Sequence, residues 1–151
     1  MSDLEIKLLQ KKIAGYPRQI DMLQKRYAMV IAPKSTEIGS AIKALSAYML
    51  QLKVCRGSFS KLEQATRSDC QRLEELIDAE CQGEISESVQ LSHVQIQHAQ
   101  ATIETYMKSI DAQIDGAVTA QEKLKLAQKQ KKTFDVVNLM AMIEKGDGYI
   151  L

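Results

Sequence analysis

Two histidines, His93 and His98, and three cysteines, Cys55, Cys70 and Cys81, are the residues of this chain best suited to metal or redox chemistry. Two ligands on one helix reach a shared ion when they stand three or four residues apart. The histidines are five apart, so both facing one ion is not expected, and solvated or hydrogen-bonded surface histidines are the plain reading. The cysteines show no Cys-x-x-Cys spacing, and their odd number and long separations argue against a disulfide framework. Cys70 falls on an apolar row and reads as a small core residue. No Ser/His/Asp set, glycine-rich phosphate loop or HExxH stretch is present. Neither an enzyme nor a metal or cofactor is expected.

Charge offers more. Glu74, Glu75, Asp78 and Glu80 make an acidic run, which reads as a solvated helix face or, more sharply, a dock for a basic partner. Lys123, Lys125, Lys129, Lys131 and Lys132 make a basic run with no Arg and, beyond Phe134 at its edge, no aromatic. Nucleic-acid binders usually supply both, so nucleic acid is disfavoured against a solvated face or an acidic protein surface. The apolar segment Phe134–Ile143 then either caps a core or docks on a partner. The candidate partner contacts are therefore these five lysines with Phe134, Val137 and Met140. The final Tyr149-Ile150-Leu151 has the apolar-x-apolar-carboxylate form that peptide-binding domains can capture.

These residues need elements to hold them, and the clearest is a row at sevenfold spacing. Val89, Ile96, Ile103 and Ile110 stand seven apart, Ala117 and Leu124 continue the row, and Met107 and Ile114 run beside it. The segment from about Ser86 to Lys131 reads as a long helix with a narrow apolar seam that needs partner helices. Ile38, Leu45, Leu52, Phe59, Thr66 and Leu73 make a matching row. Ile42, Met49, Cys70 and Ile77 make a second one, broken by Arg56 and Glu63. Between the two helices, Gln82-Gly83-Glu84-Ile85-Ser86 reads as a tight reversal, with Gly83 at the helix C-terminus and Ser86 as N-cap. Equal helices joined by a short loop make an antiparallel α-hairpin.

Ahead of it, Ile6, Leu9, Ile13, Tyr16, Ile20, Leu23, Tyr27 and Val30 alternate spacings of three and four. Pro17 interrupts this pattern chemically but not in phase, which favours a kinked helix over two unrelated ones. Ala32-Pro33-Lys34-Ser35 is a firmer stop, and Ser35 or Thr36 can cap the next helix.

The expected fold is all-α: an elongated, coiled-coil-like antiparallel hairpin with an additional kinked N-terminal helix and a short C-terminal helix. Helices are expected over about 3–31 (kinked at 15–17), 36–82, 86–132 and 134–145, with a tail at 146–151, in one domain of 151 residues. With 45% hydrophobic residues but only 5% aromatic and no Trp, the composition suits such a bundle better than a compact enzyme core. A net charge of +1 gives no global reason for nucleic acid or an anionic membrane. Yet residues 1–35 and 119–151 are net +4 and +2, and the middle is net −5. No apolar run approaches the ~18 residues of a membrane span. No secretory h-region opens the chain, and the cysteine usage fits a reducing compartment, so a cytoplasmic protein is expected.

Leu4-Glu5-Ile6 opening a heptad helix, a Gln-rich antiparallel pair, and Lys129-Gln130-Lys131-Lys132-Thr133-Phe134 closing before a short apolar end give the chain a family likeness. It resembles the helical-hairpin stalk proteins of type III secretion and flagellar export. The resemblance implies a stalk at the export ATPase that contacts the export gate and handles chaperones. The sequence supports three readings. One is a non-enzymatic interaction protein of this kind, self-association through its helices included. Another is a chaperone or assembly factor that shields a partner's amphipathic helix with its own exposed seam. The last is a nucleic-acid or membrane-surface binder using the basic ends.

Overall fold

Apolar rows seven residues apart need neighbours with matching rows, and this chain supplies its own. The computed structural model describes residues 2–80, 86–130 and 136–144. It has four helices: α1 Ser2–Ala28, α2 Ile38–Glu80, α3 Glu87–Lys129 and α4 Val136–Glu144. No strand occurs among the described residues. The fold is all-α, built on a helical hairpin of α2 and α3, each of 43 residues. The expected reversal at Gln82–Ile85, Cys81 and the tail 146–151 lie outside the described residues. The cap beyond that reversal is described: the Val89 N–H donates to Ser86 Oγ at 3.4 Å.

From Leu45 onward the α2 row is interior, and Ile38 at its start is half-buried. Leu45, Leu52, Phe59, Thr66 and Leu73 are each 0% exposed, as are Ile96, Ile103, Ile110, Ala117 and Leu124 of the α3 row. The seam is therefore satisfied within the chain. Ile6, Leu9, Ile13, Tyr16 and Ile20 of α1 are buried too. Pro17 lies inside α1, which is a single helix across it. Proline withholds an N–H from the Ile13 carbonyl, but Ile13, Tyr16 and Ile20 keep one inward face on both sides of it.

Each long helix also buries a row that apolar typing passes over. On α2 it is Ala41, Tyr48, Leu62, Asp69 and Leu76, with Cys55 half-buried in the same series. On α3 it is Ser92, Ala99, Ala120 and Ala127, with Tyr106 and Gln113 half-buried between them. Both rows stand three residues beyond the main ones, so each helix turns a wide inward stripe rather than a narrow seam.

Compactness divides the chain into two units, each assembled from slices of α1, α2 and α3. The first comprises Met1–Gln24 and Ser58–Tyr106. In it α1 runs antiparallel to α2: Arg72 Nε donates to Glu5 at 2.7 Å, and Asp69 accepts from Tyr16 further along α1. Phe59 stacks on Tyr106 with ring centroids 5.1 Å apart.

The second unit comprises Lys25–Gly57 and Met107–Leu151. Here α2 and α3 are antiparallel in register. Arg56 grips Asp111 through Nε at 2.5 Å and Nη2 at 3.3 Å. Ten residues back on α2 and ten forward on α3, Gln121 Nε2 donates to Ser46 Oγ at 2.6 Å and to the Ile42 carbonyl at 2.9 Å. The Tyr27 hydroxyl reaches Gln113 and Ser109 on α3. α4 turns Val136, Leu139, Met140 and Ile143 inward.

Because Ile103 is fully enclosed, Ile103→Ala leaves a cavity and should lower unfolding free energy by about 2–5 kcal/mol. Ile103→Asp should abolish the cooperative transition. Urea denaturation followed by circular dichroism measures both; a loss under ~1 kcal/mol for Ile103→Ala would show the seam to be loosely packed.

Candidate functional site

A polar group enters a helical interior at the cost of its hydration unless a partner replaces the water. Asp69 shows how this chain meets that cost. It stands on the hidden row of α2, where its Oδ2 accepts from the buried Tyr16 hydroxyl at 2.6 Å. Its Oδ1 lies 3.5 Å from Lys12 Nζ, whose side chain is mostly exposed. Burial, and then the hydrogen bond to Asp69 and its charge, push the Tyr16 phenol well above its usual range. The hydroxyl therefore stays a donor at every physiological pH. Glu63, also interior, pairs with Arg67 one turn along.

A second cluster lies in the same unit. Cys70 and Glu74 are four apart on α2 and so share a face. His93 comes from α3: it stands six residues past that helix's first residue, as Glu74 stands six before the last of α2. Glu74 Oε1 lies 2.9 Å from His93 Nε2 and accepts from Cys70 Sγ at 3.5 Å. The three donor atoms lie within 4.8 Å of one another. The His93 hydrogen bond, and then that from Cys70, hold the Glu74 carboxyl below its ordinary range. Burial, with the Glu74 charge and hydrogen bond behind it, pushes the Cys70 thiol up to about 11. His98, exposed on α3, lines a different groove with Pro17, Ile20 and Thr102.

Sequence spacing was right that the histidines do not converge, but it missed the cluster that does form. One signal was available. Extended backward by two heptads, the Met107–Ile114 row passes through His93, and the second row of α2 passes through Cys70. Which residues face each other across the hairpin depends on the register, and spacing within one helix does not give that.

The candidate partner contacts scatter. Lys123, Lys125 and Lys129 are exposed on α3, a solvated basic edge. Val137 is exposed on α4, whereas Met140 is buried at 3% and belongs to the core that α4 covers. Both border a groove with Lys34, Ser35 and Thr36. Lys131, Lys132 and Phe134 lie outside the described residues. Of the acidic run, Glu74, Glu75 and Asp78 are exposed. Glu74 is committed to His93, and Glu75 to Arg72 at 3.3 Å.

One apolar surface that sequence reasoning passed over is in the second unit. Met29, Leu50 and Val54 are 78%, 64% and 64% exposed. With Arg26, Val30, Gln51 and Cys55 they line an open groove of about 470 Å³. Leu50 and Val54 stand one turn apart, off every buried row of α2, which is why no seam search finds them.

Tyr16→Phe tests the interior polar pair. Asp69 would keep only the loose Lys12 contact, and stability should fall by about 1–3 kcal/mol, the cost of an interior acceptor losing its donor. Chemical denaturation at neutral pH measures it; an unchanged midpoint would mean water reaches Asp69 freely.

Among the described residues, no helix is long and apolar enough to cross a membrane. Comparison with protein-family models, with curated proteins and with solved structures gives no match to this chain.

Proposed function

We propose that the protein is a non-enzymatic interaction protein whose exposed apolar groove at Met29, Leu50 and Val54 receives an amphipathic helix of a protein partner. The groove carries this reading. Three large apolar side chains more than half exposed on one face are an interaction feature rather than scattered surface residues. An apolar trough between helices fits the helix-in-groove mode of recognition. Arg26 lines the trough, so the partner helix is expected to present an acidic residue toward it.

The most concrete version is a stalk or accessory component of a type III-like export apparatus. Its support is the hairpin of equal helices, the exposed lysines late in α3, and the resemblance of the Lys-rich close. A chaperone that shields a partner with its own seam has less support, because the seam is enclosed. A binder of phosphates through the basic ends predicts steep salt dependence.

A photo-crosslinker placed at Gln51, in the host cell, tests the reading. One adduct should form with a second protein, identified by mass, and it should disappear in Leu50→Asp and in Val54→Asp. Both variants should keep their stability, since neither site is interior. Against the purified partner each should weaken binding ~30-fold or more, the scale of a hot-spot loss of about 2 kcal/mol. That affinity should change little between ~50 and ~200 mM salt if apolar contact dominates. An adduct only with a second copy of this chain, or one indifferent to both substitutions, would overturn the proposal.

A further inference from the structure

We propose that Cys70, Glu74 and His93 form a metal site that takes one Zn²⁺ ion and clasps α2 to α3 within the first unit. The donor set is one thiolate, one carboxylate and one imidazole, the mixture that suits zinc. Its charges balance the ion, since a thiolate and a carboxylate offset two positive charges and leave little net charge against the apolar rows.

Two of the donor separations come near those of a bound shell, and the third, Cys70 Sγ to His93 Nε2, is within 4.8 Å. Zinc holds sulfur, nitrogen and oxygen at about 2.0–2.3 Å, so donors of a tetrahedral site stand roughly 3.3–3.7 Å apart. Cys70 Sγ and Glu74 Oε1 are already 3.5 Å apart, and Glu74 Oε1 and His93 Nε2 are 2.9 Å apart. A small rotation of the Glu74 side chain, which is half exposed, opens the second distance. Without metal, Glu74 Oε1 sits between the thiol and the imidazole. On binding, the ion takes up that bridging place; the thiol proton leaves to solvent, and the imidazole, whose Nε2–H donates to Glu74 without metal, gives up that proton to solvent, keeps or takes one on Nδ1, and ligates through the bare Nε2.

Access is one-sided. Cys70 is 8% exposed and forms the floor, while the side chains of His93 and Glu74 are 29% and 51% exposed and form an open wall. That side admits the ion and leaves the fourth position to water. Gln97 Nε2, 3.5 Å from His93 Nε2, stands close enough to orient such a water. Three protein ligands and one open position make a site of moderate affinity that gains and loses metal.

Cobalt reports the site directly. One equivalent of Co²⁺ added to the full-length chain with its thiols reduced should give the visible spectrum of a tetrahedral ion and a thiolate-to-cobalt band in the near ultraviolet. Zn²⁺ should erase both and raise the thermal unfolding midpoint. Cys70→Ser should abolish the thiolate band, and Cys55→Ser should leave it unchanged. His93→Gln and Glu74→Gln, at partly exposed positions, should each weaken binding by at least the ~10–100-fold that even an outer-shell partner is worth. These two carry the test if Cys70→Ser loses helical content. No thiolate band in the native sequence, a band surviving in folded Cys70→Ser, or affinity unaffected by both His93→Gln and Glu74→Gln would overturn the assignment.

Discussion

Burial of rows repeating every seven residues on α2 and α3 is the constraint from which the other features follow. Five residues of each main row are fully enclosed. A row so completely buried fixes the rotation of its helix, because a turn of one residue would carry the whole set toward solvent. With rotation fixed, every other residue has an assigned direction. Asp69 must point inward beside Tyr16, and Cys70, next to it, must fall on the flank of the stripe that looks toward α3. The polar arrangements are consequences of the apolar ones.

The interruptions are as informative as the rows. Arg56 and Glu63 stand where the second α2 row calls for apolar residues, and each is matched rather than simply tolerated. Arg56 meets Asp111 on α3, and Glu63 meets Arg67 on its own helix. Half-exposed pairs like Arg56–Asp111 add little stability. They do, however, reject registers that would leave a charge against an apolar neighbour. Gln121 acts similarly: its two donated bonds to Ile42 and Ser46 hold only at one offset of the helices. Apolar rows alone accept slips of a whole heptad, and the polar pairs remove that freedom.

This explains how much the sequence made legible. The helix order and the burial of Val89–Leu124 and Leu45–Leu73 could be read, because a period is a property of one segment. The rows through Ala41 and Ala99 were not read, since Ala, Ser, Tyr and Asp do not declare themselves apolar and only packing shows them interior. The Cys70–Glu74–His93 cluster was half legible. The i,i+4 pair on α2 is visible in the chain, but bringing His93 opposite requires the offset between α2 and α3, which neither segment's period gives. The lysine run was legible as charge alone. Lys123, Lys125 and Lys129 prove exposed, and nothing in their spacing gathers them into a site.

The exposed groove completes the same logic from the other side. In α2 an apolar residue on a buried row is accounted for by the fold. Leu50 and Val54 are apolar, off every such row and mostly exposed, and Met29 past the end of α1 is exposed as well. Leaving such side chains in water favours association with whatever covers them. They are neighbours rather than scattered, lining one trough with an arginine at its edge. Other large apolar residues are exposed too, Leu91 and Val94 of α3 among them, so it is the gathering of Met29, Leu50 and Val54 along one trough that guides what the molecule binds.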